Sequence, residues 1–260
     1  MLKKINHLWR ILATGLCFSL FGIGGLLLTV FVFPLQKIII SDSNAQKKVA
    51  RRTVHYTFKF FIAFMGLCRI FKFDLEKAQA LKTLKGELVL ANHPSLIDVV
   101  VLISIMPNAD CVVKAHLFKN PFLRGVVRNT GYISNADPQG LLADCSASLA
   151  AGNNLIIFPE GTRTKPGQKI KFQRGAANIA LRCLTSDKAD REVITVLLTV
   201  NPTTLTKSEP WYIVPEHKAL FTAQLIENNI AIPTVDESTV SKQVRGLNDT
   251  IECFFTEMID

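Results

Sequence analysis

A histidine and an aspartate five residues apart, His93 and Asp98, sit in the stretch ANHPSLID (91–98) between two apolar runs. An imidazole held at one nitrogen by a carboxylate keeps a fixed tautomer and leaves the other nitrogen as a general base. On an unbroken helix five residues subtend about 500°, which sets the two side chains apart. Pro94 changes that geometry, because proline suits a first helical turn and pushes the residue before it out of helical φ/ψ. His93 then sits at the cap while Asp98, one turn in, reaches back to its ring. Ser95 reads as a helix-start residue and not as a nucleophile, since no G-x-S-x-G elbow is present. The pair alone is a weak signal: a histidine capping a helix produces it too.

A second motif, FPEGTRT (158–164), lies about sixty residues downstream and again follows an apolar run. Arg163 brings a guanidinium suited to bidentate phosphate binding. Gly161 lets the backbone approach a ligand closely. Lys165, Lys169, Lys171 and Arg174 add positive charge after it, which a solvated charge run explains about equally well.

The elements that must carry these motifs alternate. Segments 87–91, 111–113, 131–133, 154–158 and 193–200 read as strands, and 95–105, 121–129, 139–151 and 175–183 as helices, with a closing amphipathic helix over 240–258. Alternation of this kind predicts an α/β fold, a largely parallel sheet flanked by helices, over residues 71–260. In such sheets ligands gather at the carboxyl ends of strands, where both motifs fall.

Residues 1–70 differ in character. Ile11 to Gln36 carries no charge and is longer than a signal-peptide apolar core, so it predicts a retained N-terminal helical membrane anchor. Basic residues flank both of its ends, which leaves its orientation open. Gly22, Gly24 and Gly25 mark where this helix bends or is closely approached. The following basic, phenylalanine-rich stretch (47–73) predicts a helix lying in the headgroup plane, with a core helix of the domain as the competing reading. The chain is basic, with a formal net charge of +9, and 48% of its residues are hydrophobic. That charge suits anionic lipid, phosphorylated substrates or nucleic acid; lack of a nucleic-acid-binding motif disfavours the last. The six cysteines are widely spaced, which predicts reduced thiols and no metal site.

Taken together, NHPSLID and FPEGTRT resemble the lysophospholipid acyltransferases of the 1-acylglycerol-3-phosphate acyltransferase type. The intervening KAHLFKNPFLRGVVRNTGYIS carries Lys114, Leu117, Pro121, Gly125 and Gly131 at the family's spacing. The resemblance runs from about Phe71 to Pro202 and extends to the N-terminal helical pair. It implies a glycerolipid-acyltransferase-like fold, His93 as catalytic base and Asp98 as its orienting partner. It further implies acceptor binding by Glu160, Gly161, Thr162 and Arg163, with Lys114 near the acyl-donor or phosphate site. The reaction implied is transfer of a fatty acyl group from acyl-ACP or acyl-CoA to a lysophospholipid hydroxyl, with no cofactor beyond that co-substrate. The implied partners are membrane lipids of an anionic leaflet and the thioester carrier, and the implied location is the cytoplasmic face of a bacterial inner membrane. A lipid hydrolase or transacylase, and a non-catalytic anionic-membrane-binding protein, are the competing readings. The chain departs from the family pattern after Ile133, where Ser134 and Asn135 replace a frequent arginine, and in VITVLLTVNP, which lacks a frequent proline. The stretch Asn201–Pro215 is similar to members encoded with bacterial aryl-polyene pathways.

Overall fold

In the computed structural model, which describes residues 2–184 and 192–259, seven strands form one sheet. They are β1 (Phe71–Asp74), β2 (Leu88–Ala91), β3 (Ala109–Val113), β4 (Ile133–Ser134), β5 (Asn154–Ile157), β6 (Glu192–Asn201) and β7 (Ala219–Ala231). Their spatial order is β1-β7-β6-β2-β5-β3-β4. Every pairing is parallel except β6 with β7, so the sheet is largely parallel, as the alternation of elements predicts.

Helices cover both faces. Along β2 the side chains alternate between two cores: Val89 and Ala91 join one, Leu88 and Leu90 the other. The second core is closed by α6 (Pro138–Ala150), α7 (Arg174–Cys183) and α8 (Val240–Ile259). The first is closed by α4 (Asp98–Ile105), α5 (Arg124–Thr130) and the N-terminal helices.

Those N-terminal helices are α1 (Leu2–Leu27), a π-helical segment (Leu28–Val32), α2 (Phe33–Ile39) and α3 (Ser43–Leu67). The first three run on as one helix, and Lys3–Ile39 is long and apolar enough to cross a membrane by length and composition. Much of its surface is exposed and apolar, including Leu12, Leu16, Ile23, Leu27, Phe31 and Ile38. Gly25 serves close approach and Gly24 does not: a Cβ on Gly25 would lie 2.5 Å from the carbonyl oxygen of Phe122, one on Gly24 would meet open space, and one on Gly125 would collide with Thr29. Arg10, 3% exposed, clamps the start of α1 by donating to the carbonyls of Arg69, Ile70 and Pro215.

Helix α3 corrects the expectation of a helix lying wholly in the headgroup plane. Ala50, Val54, Phe61, Ile62 and Met65 are part of the domain's own core, while Arg52, Tyr56, Lys59 and Phe60 stay exposed. Arg51 bridges to β3 through Asp110 at 2.7 Å, and Ser148 donates to the same carboxylate oxygen. The cysteines are free thiols, all buried but Cys253.

Candidate active site

Strand β2 lies between β6 and β5, and its pairing with β5 brings the two motifs together. The register Leu88↔Leu155, Val89↔Ile156, Leu90↔Ile157, continued three residues past the strands, sets His93 opposite Glu160. The contact follows: the His93 backbone N–H donates to Glu160 Oε1 at 2.6 Å. β3 pairs with β5 on its other side, which brings Lys114 to the same end of the sheet. The chain leaves β2 towards β3 and leaves β5 back across β2 to β6, so these strand ends flank the crevice where α/β sheets bind ligands.

Asn92 holds the end of β2 in place. Its amide donates to the Leu198 carbonyl at 2.8 Å and accepts from the Leu198 N–H at 2.7 Å, extending the ladder to β6 by a side chain. His93 follows immediately. Its Nδ1 lies 2.6 Å from Asp98 Oδ2, and the Ser95 N–H donates to the same oxygen at 2.8 Å. Asp98 is fully buried at the start of α4, and burial raises its pKa to about 6 despite the opposing pull of His93. Among the described residues, its Oδ1 has no hydrogen-bond partner. Phe158 stacks on the imidazole, ring centroids 4.4 Å apart. Ser95 is buried and donates to the Thr204 carbonyl, a structural tie to the loop after β6.

The FPEGTRT residues divide by position. Glu160 is buried and spends both oxygens within the protein, one on the His93 N–H and the other on the Thr164 hydroxyl. Gly161, at φ +64°, Thr162 and Arg163 line a cavity together with His93 and Lys114. Arg163 Nη1 donates to the carbonyls of Leu205 and Thr206 at 2.8 and 2.9 Å. Burial pulls its pKa down, opposed by Asp98 and Glu209.

The cavity has a volume of about 1270 Å³, above the roughly 300–1,000 Å³ of ordinary ligand pockets. It runs from His93 between α1 and the sheet, past Cys17, Phe21, Phe61, Cys111 and Val127. Its lining is mostly apolar, with His93, Lys114, Thr162 and Arg163 among the polar residues on it. Asn135, where the family often has an arginine, is on this lining and accepts from the Ala115 N–H. Trp211, against Phe18 with ring centroids 6.1 Å apart, closes another side.

Sequence reasoning singled out the stretch Asn201–Pro215 but gave it no place at the site. Its contacts with Ser95, Leu96 and Arg163 are made by backbone carbonyls, which every residue type carries. Phe158 was legible only as the first letter of a motif; its stacking depends on the β2–β5 register.

The family profile "Acyltransferase" matches residues 72–199. A 1-acyl-sn-glycerol-3-phosphate acyltransferase of Helicobacter pylori is 37% identical over 114 residues, 41% of this chain and 48% of that protein. A chloroplastic enzyme of the same name from Brassica napus is 25% identical over 175 residues, 65% and 49% of the two chains. The chain thus spans about half the length of these curated relatives. The fold is similar to the crystal structure of the 1-acyl-sn-glycerophosphate acyltransferase PlsC from Thermotoga maritima, with a TM-score of 0.62 at 18% identity over 96% of this chain and 98% of that one. With the motifs and their strand-end setting, these matches identify residues 72–199 as an acyltransferase domain similar to that of the 1-acylglycerol-3-phosphate acyltransferases.

Proposed function

We propose that the protein is a membrane-bound O-acyltransferase moving a fatty acyl group from an acyl-ACP or acyl-CoA thioester to a hydroxyl of a lysophospholipid. The observation that carries this reading is one cavity with two characters. His93, Lys114 and Arg163 line it, and so does a long apolar surface contributed by α1, α3 and the sheet. A thioester with a long acyl chain and a phosphorylated acceptor need that combination.

Asp98 accepts the Nδ1 proton and so presents Nε2 as the base. Nε2 takes the proton of the acceptor hydroxyl as its oxygen forms a bond to the thioester carbonyl carbon. The tetrahedral intermediate collapses by breaking the C–S bond, and the thiolate takes the proton back from Nε2. No acyl-enzyme forms. Arg163 Nε and Nη2, free of protein hydrogen bonds among the described residues, meet the acceptor phosphate, helped by Thr162 and by the close backbone approach at Gly161. Lys114 meets the donor's phosphate groups. Glu160 acts through His93 by fixing its backbone. The exposed apolar face of α1 and α2 seats the protein in the bilayer, on the cytoplasmic leaflet where the thioester donors are found.

Membranes containing the wild-type chain and His93→Ala, incubated with labelled acyl-ACP or acyl-CoA and a panel of lysolipids, test the reading. Acceptor-dependent transfer lost in the variant supports it. Thioester consumption that does not depend on acceptor overturns it in favour of a hydrolase.

A further inference from the structure

Two of the three non-glycine residues with positive φ among the described residues, Leu205 at +55° and Ser208 at +66°, lie in one short turn after β6. That conformation crowds an L side chain and persists only where the surroundings over-determine it. Leu205 is buried, and it lines the cavity together with Thr204 and Arg163.

What the turn offers is a run of carbonyls. Thr204, Leu205 and Thr206 present three successive carbonyl oxygens to the two motifs. The first accepts from the Ser95 hydroxyl, the second from the Leu96 N–H and from Arg163 Nη1, and the third from Arg163 Nη1 again. An extended chain turns successive carbonyls to opposite sides, so a run of three serving one site needs the backbone to leave the β region, as Leu205 does. The guanidinium is a planar fork, and Nη1 held on two carbonyls fixes its plane. The directions of Nε and Nη2 are fixed with it.

One side chain closes the turn. Glu209 Oε2 accepts from the Thr206 N–H at 2.9 Å and from the Thr206 hydroxyl at 3.2 Å, while the Glu209 N–H donates to the Thr206 carbonyl at 3.4 Å. T-x-x-E is the spacing of a helix capping box, used here where no helix follows. Thr206 is thereby held at its amide and at its carbonyl, and that carbonyl is one of the two that hold Arg163. Glu209 acts on Arg163 as a charge as well, though no ion pair joins them among the described residues. We propose that Glu209 is a positioning residue for the acceptor: through the carbonyls of the turn it sets the guanidinium of Arg163, and so the affinity of the site for the acceptor's phosphate. The proposal rests on the acyltransferase reading above, in which Arg163 meets that phosphate.

Steady-state acyl transfer in membranes tests it, with lysophosphatidate or lysophosphatidylethanolamine as acceptor, whichever the wild type turns over faster. Glu209→Ala is expected to raise the acceptor KM about tenfold while kcat and the thioester KM stay within about twofold, the signature of binding lost away from the reacting atoms. Glu209→Gln keeps an acceptor for the Thr206 N–H and is expected to hold the acceptor KM within about threefold of wild type. In an Arg163→Ala background, itself high in acceptor KM, Glu209→Ala is expected to add less than about twofold. An unchanged acceptor KM in Glu209→Ala overturns the proposal. So does an equal loss in kcat or in thioester KM, which marks general support of the fold. Glu209→Gln as impaired as Glu209→Ala assigns the effect to charge on Arg163 and overturns the route through the turn. An effect that persists in full without Arg163 places the action of Glu209 elsewhere and overturns it too. Wild-type chain with no acceptor-dependent transfer removes the acyltransferase reading itself, and the proposal with it, before any variant is compared.

Discussion

Replacing Asp98 with asparagine separates the two services its carboxylate offers His93: orientation and charge. The Ser95 N–H and the His93 ring both converge on Oδ2, at 2.8 and 2.6 Å, while Oδ1 has no partner among the described residues. An asparagine that turned its NH2 towards this point would face the Ser95 N–H donor to donor. Its oxygen therefore takes the place of Oδ2, and the imidazole keeps the Nδ1–H tautomer. What is lost is the charge on the acceptor. A hydrogen bond to a charged group contributes about 1.5–3 kcal/mol against about 0.5–1.5 for a neutral one. The difference, about 1–1.5 kcal/mol, predicts a fall in kcat of about tenfold.

Stability moves differently. Burial raises the Asp98 pKa from 3.8 to about 6, and two units correspond to about 3 kcal/mol of bias against the ionised form. A raised folded-state pKa gives stability that is fully present below the unfolded value and lost as pH rises through the folded one. The wild type's stability relative to Asp98→Asn is thus expected to drop by about 3 kcal/mol between pH 4 and 6 and stay flat above. At pH 8 the variant's unpaired NH2, costing about 1–3 kcal/mol, roughly offsets the relief of the buried charge. Chemical unfolding from pH 4 to 8, alongside acyl-transfer kinetics, reads both quantities. A thousandfold loss of kcat in a folded variant, or a stability difference that ignores pH, refutes the reasoning. In the wild type the same ionisation predicts that kcat/KM falls below about pH 6, a limb that belongs to the His93–Asp98 pair.

Glu160→Gln keeps an acceptor for the His93 N–H and is expected to lower kcat less than tenfold, whereas Glu160→Ala frees the His93 backbone and is expected to lower it ten- to a hundredfold with little change in KM; steady-state kinetics of the two decide whether Glu160 positions the base. Arg51→Ala leaves Asp110 buried without its counter-charge and is expected to cost about 3–5 kcal/mol, read by denaturant unfolding. Val113→Phe fills part of the apolar cavity and is expected to shift donor preference towards shorter acyl chains, read by competition among thioesters of different length.

The elements of the α/β domain were legible where local pattern and tertiary role agree. α7, α8 and β5 fall within a residue of the boundaries read from the sequence, because each carries an apolar face of the right period. β1 was not legible. Four residues, FKFD, follow a helix rich in the same phenylalanines, and the chain gives no sign that this helix stops at Leu67. β7 was missed for the opposite reason. It has length but no clean alternation, and its place is set by pairing with β6 and β1, residues far away in sequence. Helix α3 was half legible: its basic, aromatic composition suits a membrane surface, yet the buried face with Val54, Phe61 and Met65 serves the domain core.

At the site, the candidate side chains were legible and the contacts that hold them were not. His93, Asp98 and Arg163 declare themselves by side-chain type at a fixed spacing, so a sequence can display them. Glu160 also stood out, but as a substrate ligand; its bond to Thr164 is local, while its bond to His93 exists only because Leu90 pairs with Ile157. The same register brings Phe158 over the imidazole. The ring of His93 is thus held from three directions, by Asp98 at Nδ1, by Phe158 on its face and through its backbone by Glu160, and two of the three come from the residues just after β5. Rigidity at His93 is a property of the β2–β5 pairing, and a substitution that loosens that pairing is expected to lower kcat with all the motif residues intact.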